Sequence, residues 1–142
     1  MTDASLFVNN VIVGVGYASE MGVYPKGLQS GSIRYAYQTN TLTLDGIDMK
    51  CNGYFVLNKQ LNNLKIAVKG TNTVNANKTW CIFSLKDFSV EGSTSNHSDS
   101  KLTINNSFGS LCYVTNGSGT MTLKDLTLDV EGSDAGIYSI AS

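Results

Sequence analysis

The chain has 142 residues, the size of one domain, and a formal net charge of −1. Hydrophobic residues make up 42% and charged residues only 15%, so the composition supports a folded core and excludes a disordered chain. The small net charge, spread along the chain, creates no field that would attract nucleic acid or an anionic membrane surface. No segment reaches the ~18 apolar residues of a transmembrane helix, so we expect no membrane insertion.

Residues 1–37 differ from the rest of the chain, and we predict that they form an N-terminal β cap. Residues 6–8 and 11–13 are strand-like, and Asn9-Asn10 between them suits a hairpin turn. Residues 32–37 alternate between apolar and polar side chains, as a half-buried strand does. A cap is needed because a stack of strands exposes unpaired edges and core at its ends.

From residue 38 onward the sequence repeats a unit of three short strands. In the first copy, LTLDGIDMKCNGYFVL, apolar residues alternate with polar ones and turn residues separate the strands. Copies begin at residues 42, 64, 88 and 121. A period of roughly 20–30 residues is typical of a solenoid, whose coils bury their apolar faces only against their neighbours. We therefore predict one all-β domain in which residues 38–142 form about four coils of a parallel β-helix.

One aromatic residue recurs in the third strand of every copy. The four residues are Phe55, Phe83, Tyr113 and Tyr138. In a parallel stack with strands about 4.8 Å apart they would form a ladder. The alternative is four unrelated core aromatics in a β-sandwich.

Three cysteines, Cys51, Cys81 and Cys112, lie at or just before the third strand of a copy. Their odd number and wide spacing exclude a complete disulfide framework and a zinc ribbon. We expect small buried fillers, with a disulfide between adjacent coils as the alternative.

Catalytic groups are sparse in this sequence. His97, the only histidine, lies in a polar loop, and no Ser-His-Asp order or histidine pair is present. We predict that the protein is not an enzyme. Calcium is the one cofactor that we consider, because stacked bends could align the carboxylates of Asp45, Asp87 and Asp125 along one edge. Solvated bends are the alternative.

Sugar binding requires aromatic platforms flanked by polar side chains, and several residues fit this description. Trp80 is the strongest candidate because Asn77 and Lys78 precede it closely. Its alternation with Ile82 would place both on one face, so a core tryptophan is the alternative. The full set of candidate carbohydrate-binding residues is Trp80, Tyr54, Tyr35, Tyr37, Asn77 and Lys78.

Three phrases of the sequence carry a resemblance to a known family. They are LFVNNVIV, SGSIRYAYQTNTLTLDGI and LKIAVKGTNTV, and the similarity extends over residues 6–140. The chain resembles bacterial β-helical surface proteins that are described as carbohydrate-binding domains of anaerobic, often gut, bacteria. The resemblance implies a right-handed parallel β-helix, glycan binding and an extracellular or cell-surface location. Asn9 and Asn10 interrupt the apolar residues 6–15 and no basic segment precedes them, so we expect no signal peptide in this chain. The resemblance transfers no functional residue, because the matching phrases belong to the scaffold.

We therefore expect a non-catalytic polysaccharide-binding module of an exported bacterial surface protein. The alternatives are a structural or adhesive β-helix module that engages a protein partner and, third, a polysaccharide lyase or hydrolase. We also expect an end-to-end homodimer through the C-terminal coil, because nothing in the sequence covers the apolar residues of the fourth copy.

Overall fold

The computed structural model describes residues 6–9, 11–12, 21–51, 53–78, 80–115 and 120–141. These residues form twelve strands and two short 3-10 turns, Tyr37–Thr39 and His97–Asp99. The strands are β1 Leu6–Val8, β2 Val11–Ile12, β3 Met21–Val23, β4 Leu28–Ala36, β5 Thr41–Lys50, β6 Val56–Asn58, β7 Leu64–Asn75, β8 Trp80–Ser84, β9 Phe88–Gly92, β10 Ser100–Thr115, β11 Met121–Lys124 and β12 Thr127–Ala141. Among the described residues, no helix has the length and hydrophobicity that spanning a bilayer requires.

Every repeat copy contributes one segment to each of three parallel sheets. Sheet 1 contains residues 41–45, 64–68, 88–92 and 121–124. Sheet 2 contains residues 48–50, 70–75, 100–105 and 127–130. Sheet 3 contains residues 56–58, 80–84, 109–115 and 135–141. The predicted parallel β-solenoid is confirmed. Its four copies make about three turns, and its handedness stays a prediction.

The N-terminal strands pair antiparallel with the first coil. β4 runs along both halves of β5 and also pairs with β3. β1 runs along β6 and pairs with β2, with the left-handed Asn9 (φ 42°) following β1. All three strand segments of the first coil are therefore paired on their outer edge. Whether residues 1–37 form a cap stays a prediction.

The interior of the solenoid consists of columns of apolar side chains, one residue from each coil. Leu42, Ile66 and Val90 form such a column, and all three are fully buried. The chain turns from sheet 1 to sheet 2 at Gly46 and Gly70, whose positive φ values of 62° and 71° favour glycine. The alternating pattern and the Gly-containing bends of the sequence thus produce the observed coil directly.

The predicted aromatic ladder is wrong. Phe83 pairs with Leu57 on one side and with Cys112 on the other, whereas Phe55 lies two residues before Leu57. Phe55 is buried and Phe83 is only partly so, which shows that the two rings have different environments. The prediction fails because Phe55 precedes β6, which begins at Val56, so Phe55 is not paired with Phe83 and does not follow the alternation of that strand.

A buried asparagine, Asn72, connects three coils. Its amide nitrogen lies 3.0 Å, 3.2 Å and 3.4 Å from the backbone oxygens of Lys69, Gly70 and Lys101. Its amide oxygen accepts a hydrogen bond of 2.9 Å from the backbone nitrogen of Ile47 in the preceding coil. A corner leaves backbone groups without partners in the sheets, and this side chain satisfies several of them.

We expect Asn72→Ala to lower the free energy of unfolding by about 2–4 kcal/mol, because it leaves buried backbone groups without partners. Urea denaturation measures the effect. Asn62→Ala, which removes an exposed amide, is the control and should change stability by less than about 0.5 kcal/mol. Equal losses in the two variants would contradict this role for Asn72.

Cys51 and Cys81 are both buried and carry free thiols, in agreement with the predicted small fillers. Burial raises the pKa of Cys51 from its ordinary 9.0 to about 12. Burial, and to a lesser extent the charge of Cys51, raises the pKa of Cys81 well above 9.0. The side chain of Cys112 lies outside the described residues.

Each raised pKa predicts a loss of stability at alkaline pH. The stabilising contribution of Cys51 is fully present below pH 9.0 and is lost as pH rises toward about 12, since the unfolded thiol ionises first. At a pH about 1.5 units above 9.0, we expect this loss to be about 2 kcal/mol. The measurement compares the pH dependence of urea unfolding in the parent and in Cys51→Ala, and parallel curves would contradict the prediction.

Candidate carbohydrate-binding site

An aromatic cavity opens where the chain enters sheet 3 in three successive coils. Its volume is about 330 Å³. Its described lining residues are Gly53, Tyr54, Lys78, Trp80 and Phe108. Cavities that hold small ligands are usually of about this size or larger, and apolar and aromatic side chains with a few polar groups line them.

Four aromatic rings form a connected cluster at this cavity. Trp80 makes edge-on contacts with Phe83 and Phe108, at centroid distances of 5.9 Å and 5.0 Å. Tyr54 packs against Phe83 at 5.3 Å with a tilt of 54°. Such geometries are favourable for aromatic pairs, so the rings support one another. Tyr54 is 36% exposed and Phe108 is 40% exposed, which leaves part of their surface available to a ligand.

Trp80 does not share a face with Ile82, as strict alternation would require. Cys81 and Ile82 are both buried, whereas Trp80 and Phe83 are partly exposed. The alternation of burial is therefore interrupted at Cys81 and Ile82, and Trp80 joins Phe83 in the aromatic cluster. Trp80 is neither purely a sugar platform nor purely a core tryptophan, because its ring lines the cavity and also packs edge-on against other rings.

Lys78 reaches the cavity from a tight turn between β7 and β8. Asn77 and Lys78 both have left-handed backbones, with φ values of 50° and 62°. Asparagine tolerates this conformation, but lysine does not favour it, and Asn-Gly is the pair that such turns prefer. The described lining residues include no carboxylate, so the ammonium group of Lys78 is the charged group beside the aromatic rings.

The remaining predicted residues have different positions. Tyr35 cannot serve as a sugar platform, because its side chain is 1% exposed and its hydroxyl donates a 2.8 Å hydrogen bond to Asn40. Its burial, and then the charge of Tyr37, raise its pKa. Tyr37 is exposed on a 3-10 turn and does not line the cavity. Asn77 adjoins Lys78 in the turn but is not among the described lining residues.

Phe108 lines the cavity and Phe83 packs against Tyr54 and Trp80, although neither was predicted from the sequence as a site residue. A signal for Phe108 was present, because an aromatic residue precedes the third strand in each of the first three copies. Tyr54 and Trp80 each stand two residues before the paired Val56 and Ile82 and therefore share one register position. Phe108 is adjacent to Gly109, which pairs with Trp80.

A second cavity, of about 310 Å³, lies on the outer face of sheet 1, and its surface is polar and apolar in about equal parts. Glu91 is held there by a 2.7 Å hydrogen bond from the hydroxyl of Ser89 and by the Lys65 ammonium at 3.9 Å. Its described lining residues are Thr39, Asn63, Lys65, Asp87, Phe88, Ser89, Glu91, Thr120 and Thr122. Most of these residues carry hydroxyl, amide or charged groups, and none of them is an exposed aromatic residue.

The predicted alignment of Asp45, Asp87 and Asp125 is wrong. Asp45 pairs with Lys69, whereas Asp87 stands just before the pairing of Phe88 with Leu64, at the opposite end of sheet 1. This offset corresponds to roughly 17–20 Å along the strands. Asp125 follows β11, two coils beyond β7. No group of three or more His, Cys, Asp or Glu side chains among the described residues could hold a metal ion.

Comparison with known proteins identifies no relative of this chain: no family model, no curated protein and no solved structure matches it. The resemblance to bacterial carbohydrate-binding surface proteins stays a prediction.

We expect Lys78→Gly to raise the free energy of unfolding. Relief of the left-handed strain contributes about 1–2 kcal/mol, and the entropy of glycine removes about 0.5–1 kcal/mol, so the net gain is about 0.5–1 kcal/mol. Thermal denaturation measures it. Lys26→Gly is the control. Lys26 has no positive φ, so this substitution relieves no backbone strain and only lowers stability through the entropy of glycine. A destabilised Lys78→Gly would show that the side chain supports the fold.

Proposed function

We propose that this protein is a non-catalytic polysaccharide-binding module. The observation that carries the proposal is the aromatic cavity, in which Tyr54, Trp80 and Phe108 surround a space of about 330 Å³ beside Lys78. The apolar face of a sugar ring stacks on aromatic rings, and its hydroxyl groups need polar partners at the edge. Lys78 offers three hydrogen-bond donors for such groups.

Preorganisation of the rings favours this function. Trp80 is packed between Phe83 and Phe108, so its ring needs little rearrangement before it contacts a ligand. Ordering flexible side chains on binding reduces affinity, and a pre-packed platform avoids much of that loss. Trp80 and Phe108 stand on β8 and β10, which belong to the paired sheets of the solenoid and give them rigid support, and Tyr54 lies just before β6.

The direction of the cavity fits an extended ligand. Tyr54, Trp80 and Phe108 come from three successive coils, so the aromatic row runs along the solenoid axis over roughly 10 Å. A linear polysaccharide lying parallel to this axis would contact all three rings. The resemblance of the scaffold phrases supports a polysaccharide ligand and, with it, a place on the surface of an exporting bacterium.

A glycan array, probed with and without Ca²⁺, tests the proposal and identifies a polysaccharide for titration. Trp80 is the only tryptophan, so its fluorescence should change as the ligand binds. We expect Trp80→Ala to weaken binding by roughly 30-fold or more, as loss of a central aromatic contact does. Phe108→Ala should weaken it less, because its ring lies at the rim of the cluster.

Tyr24→Ala is the matched control. Tyr24 is 81% exposed and does not line the cavity, so its loss should leave the affinity unchanged. Circular dichroism must show that each variant keeps the fold. A protein that binds no polysaccharide on the array, or a Trp80→Ala variant with full affinity, would contradict the proposal. The first result would favour the adhesive alternative, in which the aromatic cluster contacts a protein.

A further inference from the structure

The cavity on the outer face of sheet 1 shares no described lining residue with the aromatic cavity. Its floor is β9, whose inward residues are buried while the outward Ser89 and Glu91 are only partly so. Lys65 of β7 and Thr122 of β11 lie on either side of Ser89 in register. Alternation along the strands therefore presents polar groups of three coils to one space of about 310 Å³.

The carboxylate of Glu91 is held in position on this floor. Its Oε2 accepts a 2.7 Å hydrogen bond from the hydroxyl of Ser89, and its Oε1 lies 3.9 Å from the ammonium nitrogen of Lys65. An ionised carboxylate has about four acceptor sites, and a lysine ammonium has several donors, so both groups keep capacity for a ligand. A group that is already fixed loses little side-chain freedom on binding.

Asp87 supplies a second carboxylate four residues before Glu91. At about 3.3 Å per residue, the two positions are separated by up to about 13 Å along the chain. Thr39, Asn63 and Thr120 are exposed at the rim and add hydroxyl and amide groups. The cavity thus offers donors and acceptors over a length that exceeds one sugar ring.

The charge of this cavity is opposite to that of the aromatic cavity. Asp87, Glu91 and Lys65 are its charged lining residues among those described, so carboxylates exceed ammonium groups by one. The described lining of the aromatic cavity contains Lys78 and no carboxylate. The cavity on sheet 1 therefore repels anionic ligands and favours a ligand that brings a positive charge.

We propose that this cavity is a second binding site, and that its ligand is an amino-sugar segment of a polysaccharide. The protonated amine pairs with the carboxylates, and the sugar hydroxyls exchange hydrogen bonds with serine and threonine hydroxyls, which both donate and accept. The choice of a saccharide rests on the proposed function, whereas the preference for an amine rests on the charges of this cavity. Two sites on different sheets let one molecule hold two polysaccharide segments.

Calorimetric titration at about pH 6, where a sugar amine is protonated, tests the proposal with two matched ligands. One is a β-1,4-linked glucosamine trimer, and the other is the glucose trimer of the same linkage, in which a hydroxyl replaces each amine. We expect the glucosamine trimer to bind at least about 10-fold more tightly, because hydrogen bonds between charged groups are the stronger ones. Equal affinities, or no binding of the glucosamine trimer, would overturn the proposal.

Two substitutions locate the site. Glu91→Gln and Asp87→Asn each remove one negative charge with little change of shape. Each should weaken binding of the glucosamine trimer at least about 5-fold and leave that of the glucose trimer within about twofold. Thermal denaturation must show that each variant keeps the fold. A full preference for the amine in both variants would overturn the proposal.

Asp45→Asn is the matched control. Asp45 also lies on sheet 1, and its carboxylate is 3.9 Å from the ammonium of Lys69, the same distance that separates Glu91 from Lys65. It does not line the cavity, so its substitution should leave both affinities unchanged. An equal loss in Asp45→Asn would show that only the overall charge of the protein matters, which would overturn the proposed site.

Trp80→Ala separates this proposal from the proposed function. The variant should bind the glucosamine trimer as the parent does, because Trp80 does not line this cavity. Loss of the trimer in Trp80→Ala but not in Glu91→Gln would assign it to the aromatic cavity and overturn the second site. Full binding of the trimer beside an aromatic cavity that binds no polysaccharide would contradict the proposed function alone.

Discussion

Parallel pairing between successive coils is the constraint on which this structure depends. The ladder fixes the register, so that apolar residues such as Leu42, Ile66 and Val90 fall directly above one another inside the solenoid. A shift of one residue would place every inward side chain outside. Asn72 reinforces this register at a corner, because its amide bonds to backbone groups of three coils at once. Burial and hydrogen bonding therefore select the same arrangement.

The same constraint divides the side-chain positions that support the fold from those that are available to bind a ligand. Inward positions must be apolar and must fit their neighbours above and below, so they are not available for recognition. Outward positions carry no such requirement, and the aromatic cluster lies there, at the entrance to sheet 3. Lys78 stands in a turn where glycine would fit the backbone better. Strain of this kind is often retained where a side chain has a task, which agrees with its position beside the aromatic rings.

A stacked architecture has no natural end, and the two ends of this solenoid differ for that reason. Antiparallel strands lie along the first coil, and the side chains beneath them are buried. The fourth coil lacks such strands among the described residues, and its core residues are more exposed than those of the first coil. Coverage of an end is thus a separate problem from formation of the coils.

The sequence alone determined the strand triples, their spacing and the parallel solenoid, because period-two patterns and glycine bends are local features that every coil repeats. It also identified Tyr54, Trp80 and Lys78 as candidate ligand-binding residues, from their aromatic and polar side chains and from the position of Lys78 close to Trp80. Only the tertiary structure decided which residues share a column. The expected ladder of Phe55 and Phe83 failed for this reason, as did the alignment of Asp45 with Asp87. The burial of Tyr35 and the place of Phe108 beside Trp80 also depend on the fold. Register arises from pairing between coils, and a local pattern contains no information about which residue of the next coil will lie above it.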